Sequence, residues 1–498
     1  MILCCDFGST FTKLTAIDGD TGKIIAKSRA FTTIDSNVMD GFSIALDEIH
    51  KQCSIRNFET RLAASSAAGG LKMVAAGLVP DLTAKASRLA AASAGAKVLK
   101  TYSYELTDHD LDEITKISPD IILLSGGIDG GNKDVLLRNA KSLAKISGDF
   151  CVIIAGNRSA ADEANGALQA TGKRTVVCEN VMPQFGKLNI EPAKTAIREL
   201  FIQNIISAKG LDKAQEYMTA EIIPTPLAVF EAAKLLSEGI NDGGLFEEGL
   251  GPLMVFDLGG ATTDVYSMAD GLPKNPQVYV QGLLEPYAKR TVEGDIGMRY
   301  SLAAMLEAMQ LCELGSPGTP CHPGLEEGER ARAGQETFAS FTVPNANGSS
   351  SVLGSSLVAD IHTWRDICLK TPSALPIGEY AHFQQVEHFL AGEAIKISAA
   401  RHVGFYERSY TPMGETIIQT GKDLTQVKYV IGTGGAIIDA TEPFEILQSA
   451  IYSPQDLNLL KPQSPKLLLD SEYCLSAMGL LAGKFPRLAL KIMRAILH

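Results

Sequence analysis

An apolar strand ending in aspartate, a turn of glycine and hydroxyl residues, and a second strand make one unit at Cys4–Lys13 (CCDFGSTFTK). The same unit returns half a chain later at Val255–Asp264 (VFDLGGATTD). No fixed-period repeat accompanies this echo. Two such units, so far apart, call for two related lobes. Each lobe carries a carboxylate to the end of a strand, beside a turn that glycine keeps tight.

The residue types at both turns suit phosphate. In the first, Gly8 lets the chain turn, Ser9, Thr10 and Thr12 offer hydroxyls, and Lys13 adds a positive charge. With the backbone N–H groups of the turn, these fit the β- and γ-phosphates of a nucleotide. Asp6 cannot sit beside phosphate unaided, so Mg²⁺ is its natural mediator, an ion that keeps several waters and takes one or two carboxylates. In the second, Asp257 ends the strand and Gly259 and Gly260, with Ala261 beside them, permit close approach of backbone to phosphate. Thr262 and Thr263 add hydroxyls, and Asp264 is placed for a Mg²⁺-bound water. Either turn alone reads equally well as a hairpin with a capped glycine turn. The pair points to a nucleotide.

Three further pieces fall in order around these turns. Tyr429–Ile438 (YVIGTGGAII) runs a strand into Gly432, Thr433, Gly434 and Gly435, with a helix expected near Ala436. Such a corner lets a purine or ribose lie on the backbone. At Ile222–Leu236, Pro224–Thr225–Pro226 opens a helix of small residues, and Leu475–Gly483 is a helix carrying Ala477 and Gly479. Small residues let two helices cross closely, as at a hinge.

Between the first turn and these pieces the pattern changes. Ile2–Asp6, Leu14–Asp18 and Lys23–Phe31 read as antiparallel strands, followed by a helix at Ser36–Cys53. From about Arg61, strands at Leu62–Ala67, Lys97–Tyr102, Asp120–Ser125, Cys151–Ala155 and Thr175–Cys178 alternate with helices. That alternation predicts an inserted α/β domain with a parallel, wound sheet. Ser237–Pro252 reads as a glycine and acid loop, and Leu314–Asn347 as an exposed excursion.

Composition narrows the partners. The net charge is -12 and no long basic run exists, which argues against nucleic acid. No apolar stretch reaches the ~18 residues that a membrane helix needs, and Met1–Cys5 lacks a basic region. A cytoplasmic protein is expected. The nine cysteines are scattered without a CxxC pair, which reads as buried free thiols, with a zinc or iron–sulfur site as the alternative.

The ordered set of motifs resembles the sugar kinase, heat-shock chaperone and actin superfamily. Asp6–Lys13 matches its first phosphate loop, Asp257–Asp264 its second and Gly432–Ala436 its adenosine loop, with Ile222–Leu236 and Leu475–Gly483 as the connecting helices. The resemblance implies an α/β fold of two actin-like (ribonuclease H-like) ATPase lobes with an inserted α/β domain. On that plan 1–60 opens lobe I, 61–218 is the insert and 219–252 returns to lobe I. Lobe II then spans 253–472 with a loop at about 314–351, and 473–498 holds the second connecting helix and the tail.

More narrowly, DFGSTFTK, LLSGGIDGGN, VFDLGGATTDVYS and KRTVEGDIGMR together resemble the glutamate mutase L family. That resemblance implies an ATP-dependent reactivating chaperone whose partners are subunits of adenosylcobalamin-dependent mutases. It leaves the particular mutase and the oligomeric state open. The implied ligands are ATP and Mg²⁺, with Asp6, Asp257 and Asp264 toward the metal. One departure stands out: where heat-shock chaperones carry a water-ordering carboxylate before a proline, this chain has Thr225. A threonine is no base at neutral pH. Slow hydrolysis follows, or service by another group such as Glu221.

Other segments hold two readings each. Leu123–Asn132 is a partner or ligand surface, or a plain strand–helix corner, and Ala155–Asn157 is a similar corner. Arg290–Arg299, with Glu293, contributes to the base and ribose pocket or is a charged surface turn. His109 lacks the spacing of a cobalamin-ligating motif and reads as a helix-start residue. Phe485–His498 is a basic amphipathic helix that docks on its own domain or lies on a membrane. The competing functions are an actin-like filament protein, and a small-molecule kinase or dehydratase activator.

Overall fold

The computed structural model describes residues 1–498 apart from 9, 34–36, 54, 67–71, 80–81, 83–84, 94–95, 207–209, 243, 315–341, 345–349, 353–354, 371–382 and 412–413. Ser9 and most of the expected excursion at 314–351 therefore lie outside the described residues. The chain divides into two units. Unit 1 is Met1–Gly251, Gln281–Val292 and Cys474–Leu497; unit 2 is Pro252–Val280, Glu293–Tyr473 and His498.

Unit 1 opens with β1 (Ile2–Phe7), β2 (Phe11–Ile17) and β3 (Ile24–Phe31), then helix α1 (Val38–Gln52) and β4 (Thr60–Ser65). Every residue of β1 is buried, as its unbroken apolar run requires of a strand covered on both faces. β1 pairs antiparallel with β2 and parallel with β4. Asn37 caps α1 by accepting from Met39 N at 3.0 Å, and the helix buries Phe42, Ala45 and Ile49. The strand expected at Leu62–Ala67 as the start of the insert is instead β4, a member of the first sheet.

The insert has its own sheet. Its elements are β5 (Lys72–Gly77), α2 (Lys85–Ser93), β6 (Lys97–Ser103), α3 (Asp108–Ile117), β7 (Ile121–Leu124), α4 (Asp134–Leu143), β8 (Cys151–Ile154), α5 (Arg158–Gln169) and β9 (Arg174–Val177). The order is β6-β5-β7-β8-β9, and all four pairings are parallel. Alternate residues feed two cores. Ile121, Leu123 and Ile153 pack with Ala86, Ala90 and Ile197 on one face. Ile122, Leu124 and Val152 pack with Ile114, Leu136 and Ala164 on the other. This is the period-two pleat of a doubly wound sheet.

The chain then passes through α6 (Glu191–Ile206) and α7 (Leu211–Tyr217) to β10 (Ile223–Pro224), which completes the first sheet in the order β10-β4-β1-β2-β3. Helix α8 (Thr225–Glu238) follows. Where a loop was expected at Ser237–Pro252, β11 (Gly239–Asp242) and β12 (Leu245–Glu248) form an antiparallel hairpin.

Unit 2 repeats the plan. It begins with β13 (Leu253–Leu258), β14 (Thr263–Met268) and β15 (Val278–Gln281); β16 (Ala288–Glu293) lies, up to Val292, in the segment that belongs to unit 1. Next come α9 (Leu302–Leu314), β17 (Thr342–Pro344), β18 (Ser350–Val352), α10 (Ser355–Lys370) and α11 (Gln384–His402). β19 (Phe405–Thr411), β20 (Gly414–Thr420), β21 (Tyr429–Thr433), α12 (Gly435–Ile438), α13 (Pro443–Gln448) and β22 (Lys466–Leu469) complete it. β13 pairs antiparallel with β14 and parallel with β21, and β21 parallel with β22. β2, β1, β4 and β10 thus correspond to β14, β13, β21 and β22. This strand order makes both lobes ribonuclease H-like.

Two helices return to unit 1: α14 (Leu475–Ala482) and α15 (Pro486–Ile496). α14 crosses α8 with backbone contact, since a Cβ on Gly479 would lie 1.7 Å from the Ala228 carbonyl oxygen. α15 buries Ala489, Leu490, Ile492, Met493 and Ile496 in unit 1, the docked of its two readings. The segment Gln281–Val292 also packs here. Leu283 joins the core, and Glu285 sits between Lys85 at 3.1 Å and Lys289 at 2.6 Å. Burial alone would raise the Glu285 carboxyl, but the two ammonium groups hold it well below the usual carboxylate range. Among the described residues, no helix is long and apolar enough to cross a membrane.

Candidate functional site

The two glycine turns are built alike. Gly8 N donates to Phe11 O at 3.0 Å, and Gly259 N donates to Thr262 O at 3.0 Å. Asp6 pairs with Lys13 across β1–β2, and Asp257 with Asp264 across β13–β14. Directly opposed residues share a face, so each turn carries a carboxylate with a second charge beside it. That charge is positive in unit 1 and negative in unit 2. A Cβ at position 8 would stand 2.6 Å from Phe11 O, so glycine is required there.

Asp6 is nearly buried and both its oxygens are held. Thr225 Oγ1 donates to Oδ1 at 2.7 Å, and Ser476 Oγ donates to Oδ2 at 3.2 Å. Thr225 is the first residue of α8 and follows β10. That strand matches the level of β1: Ile223 and Asp6 both pair with Ala64. Glu221 stands two residues earlier, toward the opposite end of the strands. It lines a cavity of about 630 Å³ with Arg198, Lys234 and Lys484. Glu221 is therefore set back from the first turn.

Two expected phosphate hydroxyls face elsewhere. Thr12 is fully buried and bonds Thr32 Oγ1 at 3.0 Å. Its counterpart Thr263 is equally buried and donates to Ile296 O at 3.0 Å. β2 starts at Phe11, earlier than a turn reaching Lys13 would allow, while β14 starts at Thr263, where its strand is expected. Strand alternation then turns both hydroxyls inward. Thr10 and Thr262 remain at the turns themselves.

The second turn is clasped from outside. Met298 N donates to Gly259 O at 3.1 Å, while Arg299 N and Tyr300 N both donate to Gly260 O at 2.8 Å. Ser301 Oγ donates to Ala261 O. A Cβ on Gly297 would lie 2.5 Å from the Ala261 carbonyl carbon. The Arg299 guanidinium anchors the clasp, paired with Glu387 and 4.9 Å from the Trp364 ring. Glu293, expected toward the base and ribose, is ion-paired with Arg401 at 3.0 Å, which also holds Asp295 at 2.8 Å. This segment buttresses the second glycine turn.

The third glycine corner abuts the second turn. β21 ends at Thr433, in register with Asp257. Gly434 has φ +92°, and a Cβ there would come within 2.4 Å of Leu258 O and 2.9 Å of Asp257 Oδ1. Thr433 is buried, and its hydroxyl donates to Asp470 Oδ2 at 3.0 Å instead of facing a ribose. Asp470 N also donates to Gly432 O at 2.9 Å. The helix starts at Gly435, one residue before Ala436. Asp470 and Ser476 were missed in the sequence. Only their place after β22 and inside the start of a small-residue helix marks them.

The remaining candidates have structural explanations. The 123–132 loop is tied by Asn157, whose Nδ2 donates to Gly131 O at 3.1 Å and Asn132 O at 3.0 Å, and by Asn180, which donates to Gly127 O at 3.0 Å. It reads as a strand–helix corner. Among the described residues, the one cluster spaced for a metal is His109, Asp110 and Glu113. Asp110 caps Thr107 N at 2.8 Å, and Glu113 is held by Lys100 and by Tyr102 at 2.9 Å. The described cysteines are all free thiols. Burial pushes Cys178 and Cys368 up to about 11.

The donor set fits Mg²⁺, which prefers oxygen and few carboxylates. Asp6 is the candidate in unit 1 and Asp257 and Asp264 those in unit 2, each turn taken by itself, and each Asp6 oxygen keeps a lone pair beyond the hydroxyl it accepts.

The family model described as MutL protein matches residues 2–340 and 342–497. Protein MutL of Clostridium tetanomorphum is 41% identical over 499 residues, covering 99% of this chain and 98% of that protein. Among solved structures, a glycerol dehydratase reactivase aligns over 97% of this chain and 99% of its own at 11% identity and a TM-score of 0.31. A xylulose kinase from Bifidobacterium adolescentis aligns over 99% and 93% at 11% identity and a TM-score of 0.28. At such scores neither bears on the fold assignment, which rests on strand order.

Proposed function

The chain belongs to the MutL protein family, and from that premise we propose that it is an ATP-dependent reactivating chaperone of an adenosylcobalamin-dependent mutase. The observation that carries the nucleotide half is the paired turn geometry: the same Gly N–H to carbonyl closure beside a strand-end aspartate, once in each unit. The mutase half rests on the family and on the motifs resembling glutamate mutase L.

In this reading each unit carries one phosphate turn: in unit 1 Lys13 would meet phosphate and Asp6 a water of Mg²⁺, and in unit 2 Asp257 and Asp264 would serve Mg²⁺ through its waters. Magnesium supplies charge neutralisation between phosphate and carboxylate. Gly432–Gly435 receives the adenosine. Thr225 spends its hydroxyl proton on Asp6, so it supplies no base to an attacking water. Hydrolysis is then slow, which suits a switch that releases damaged cofactor better than a metabolic kinase.

Two measurements test this. Calorimetric titration of Asp6→Ala and Asp257→Ala with Mg-ATP should find binding abolished in both, with folding intact by circular dichroism. Retained affinity in either would remove that turn from the site. Separately, mutase inactivated by hydroxycobalamin should recover only with this protein, ATP, Mg²⁺ and fresh coenzyme. Absence of recovery would reject the chaperone role.

A further inference from the structure

Ser476 is not singled out by its type within the Leu475–Gly483 helix, yet it shares Asp6 with Thr225. One carboxylate accepts a hydroxyl at each oxygen, 2.7 Å from Thr225 and 3.2 Å from Ser476. The two donors open different helices. Thr225 is the first residue of α8 and Ser476 the second of α14. Those helices touch backbone to backbone farther along, where Gly479 meets Ala228. Asp6 arrives on β1, just ahead of Gly8 and the turn. The helix crossing and the phosphate turn are thereby joined through a single carboxylate within unit 1.

We propose that Ser476 is a positioning residue for Asp6. With Thr225 it fixes the plane of the carboxylate, so the direction in which Asp6 offers its remaining lone pairs follows the placement of both helices. The inference rests on the reading of Asp6 as the carboxylate that holds Mg²⁺ beside the nucleotide. The physical need is clear from the side chain itself. The terminal torsion of aspartate is broad and nearly two-fold, so one hydroxyl alone leaves the other oxygen free to swing. A second charge-assisted hydrogen bond removes that freedom. Ser476 need not touch the nucleotide.

The test uses the full chain and its Ser476→Ala and Ser476→Thr variants, titrated with ATP at a series of Mg²⁺ concentrations and in EDTA. Ser476→Ala is expected to raise the Mg²⁺ concentration for half-maximal ATP binding by about tenfold, the scale of one hydrogen bond to a charged group. ATP affinity in EDTA should stay at the wild-type value, and Ser476→Thr should restore the Mg²⁺ requirement. An unchanged Mg²⁺ requirement in Ser476→Ala overturns the proposal. So does an equal loss with and without Mg²⁺, which a merely structural serine would give, or a threonine that fails to rescue. If the wild-type chain itself shows no Mg²⁺-dependent ATP binding, the reading of Asp6 fails, a result separable from failure at Ser476 alone.

Discussion

Glu285 is buried with two lysines for one carboxylate, an arrangement whose stability depends on keeping the acid ionised. Its folded pKa lies below the ordinary 4.5 because Lys289 and Lys85 outweigh the opposing effect of burial. A depressed carboxylate contributes stability that is complete above the unfolded value. That contribution fades as pH falls through the ordinary carboxylate range and below it. Glu285→Gln removes the buried carboxylate that Lys85 and Lys289 share and should cost about 3–5 kcal/mol at pH 7. Urea midpoints of the two proteins should converge as the pH is lowered toward 3. A gap that stays constant with pH would assign the loss to packing. Residue roles at the turns were only half legible. Gly8, Gly259 and the aspartates could be read because a tight turn and a strand end need those residue types. The side of Thr12 is hidden because β2 starts at Phe11 and not after Lys13, and one step along a strand reverses the side of a hydroxyl. Thr263 opens β14 as expected, but the Ile296 carbonyl that takes its hydroxyl is distant in sequence.

At the scale of elements, the crossing of α8 and α14 depends on Gly479. A Cβ there would overlap the Ala228 carbonyl, so Gly479→Val must push the helices apart. The expected cost is about 1–3 kcal/mol from overpacking, read as a lowered thermal midpoint. An unchanged midpoint would mean the helices already have room. The helices themselves were readable from their small residues, as were the long apolar strands. Strand β5 (KMVAAG) was not, because alanine and glycine lack the branched side chains that mark a strand. It is nonetheless an interior strand of its sheet, between β6 and β7. β10 has two residues, too few for any periodicity. The β11–β12 hairpin was read as a loop because its strands carry Asn, Asp and Glu around a glycine pair.

At the scale of the molecule, each unit holds one turn of the same construction. If both serve nucleotide, deuterium exchange with Mg-ATP present should slow at Asp6–Lys13 and at Asp257–Asp264 alike. Protection at a single turn would assign the nucleotide to one unit. The two-lobe plan was legible because the echo of one motif survives in sequence. The division of unit 1 into three chain segments was not, since only contacts show that Gln281–Val292 packs with the first. That division bears on how the protein is made. Asp6 and Ser476 lie 470 positions apart. At ~5–20 residues per second of synthesis, roughly 20–90 s pass between their emergence from the ribosome. During that interval Thr225 can reach Asp6 but Ser476 cannot. The first turn thus receives its Ser476 contact long after its own residues are made, so a nascent chain stalled before Ser476 would carry the motif without the second hydroxyl on Asp6.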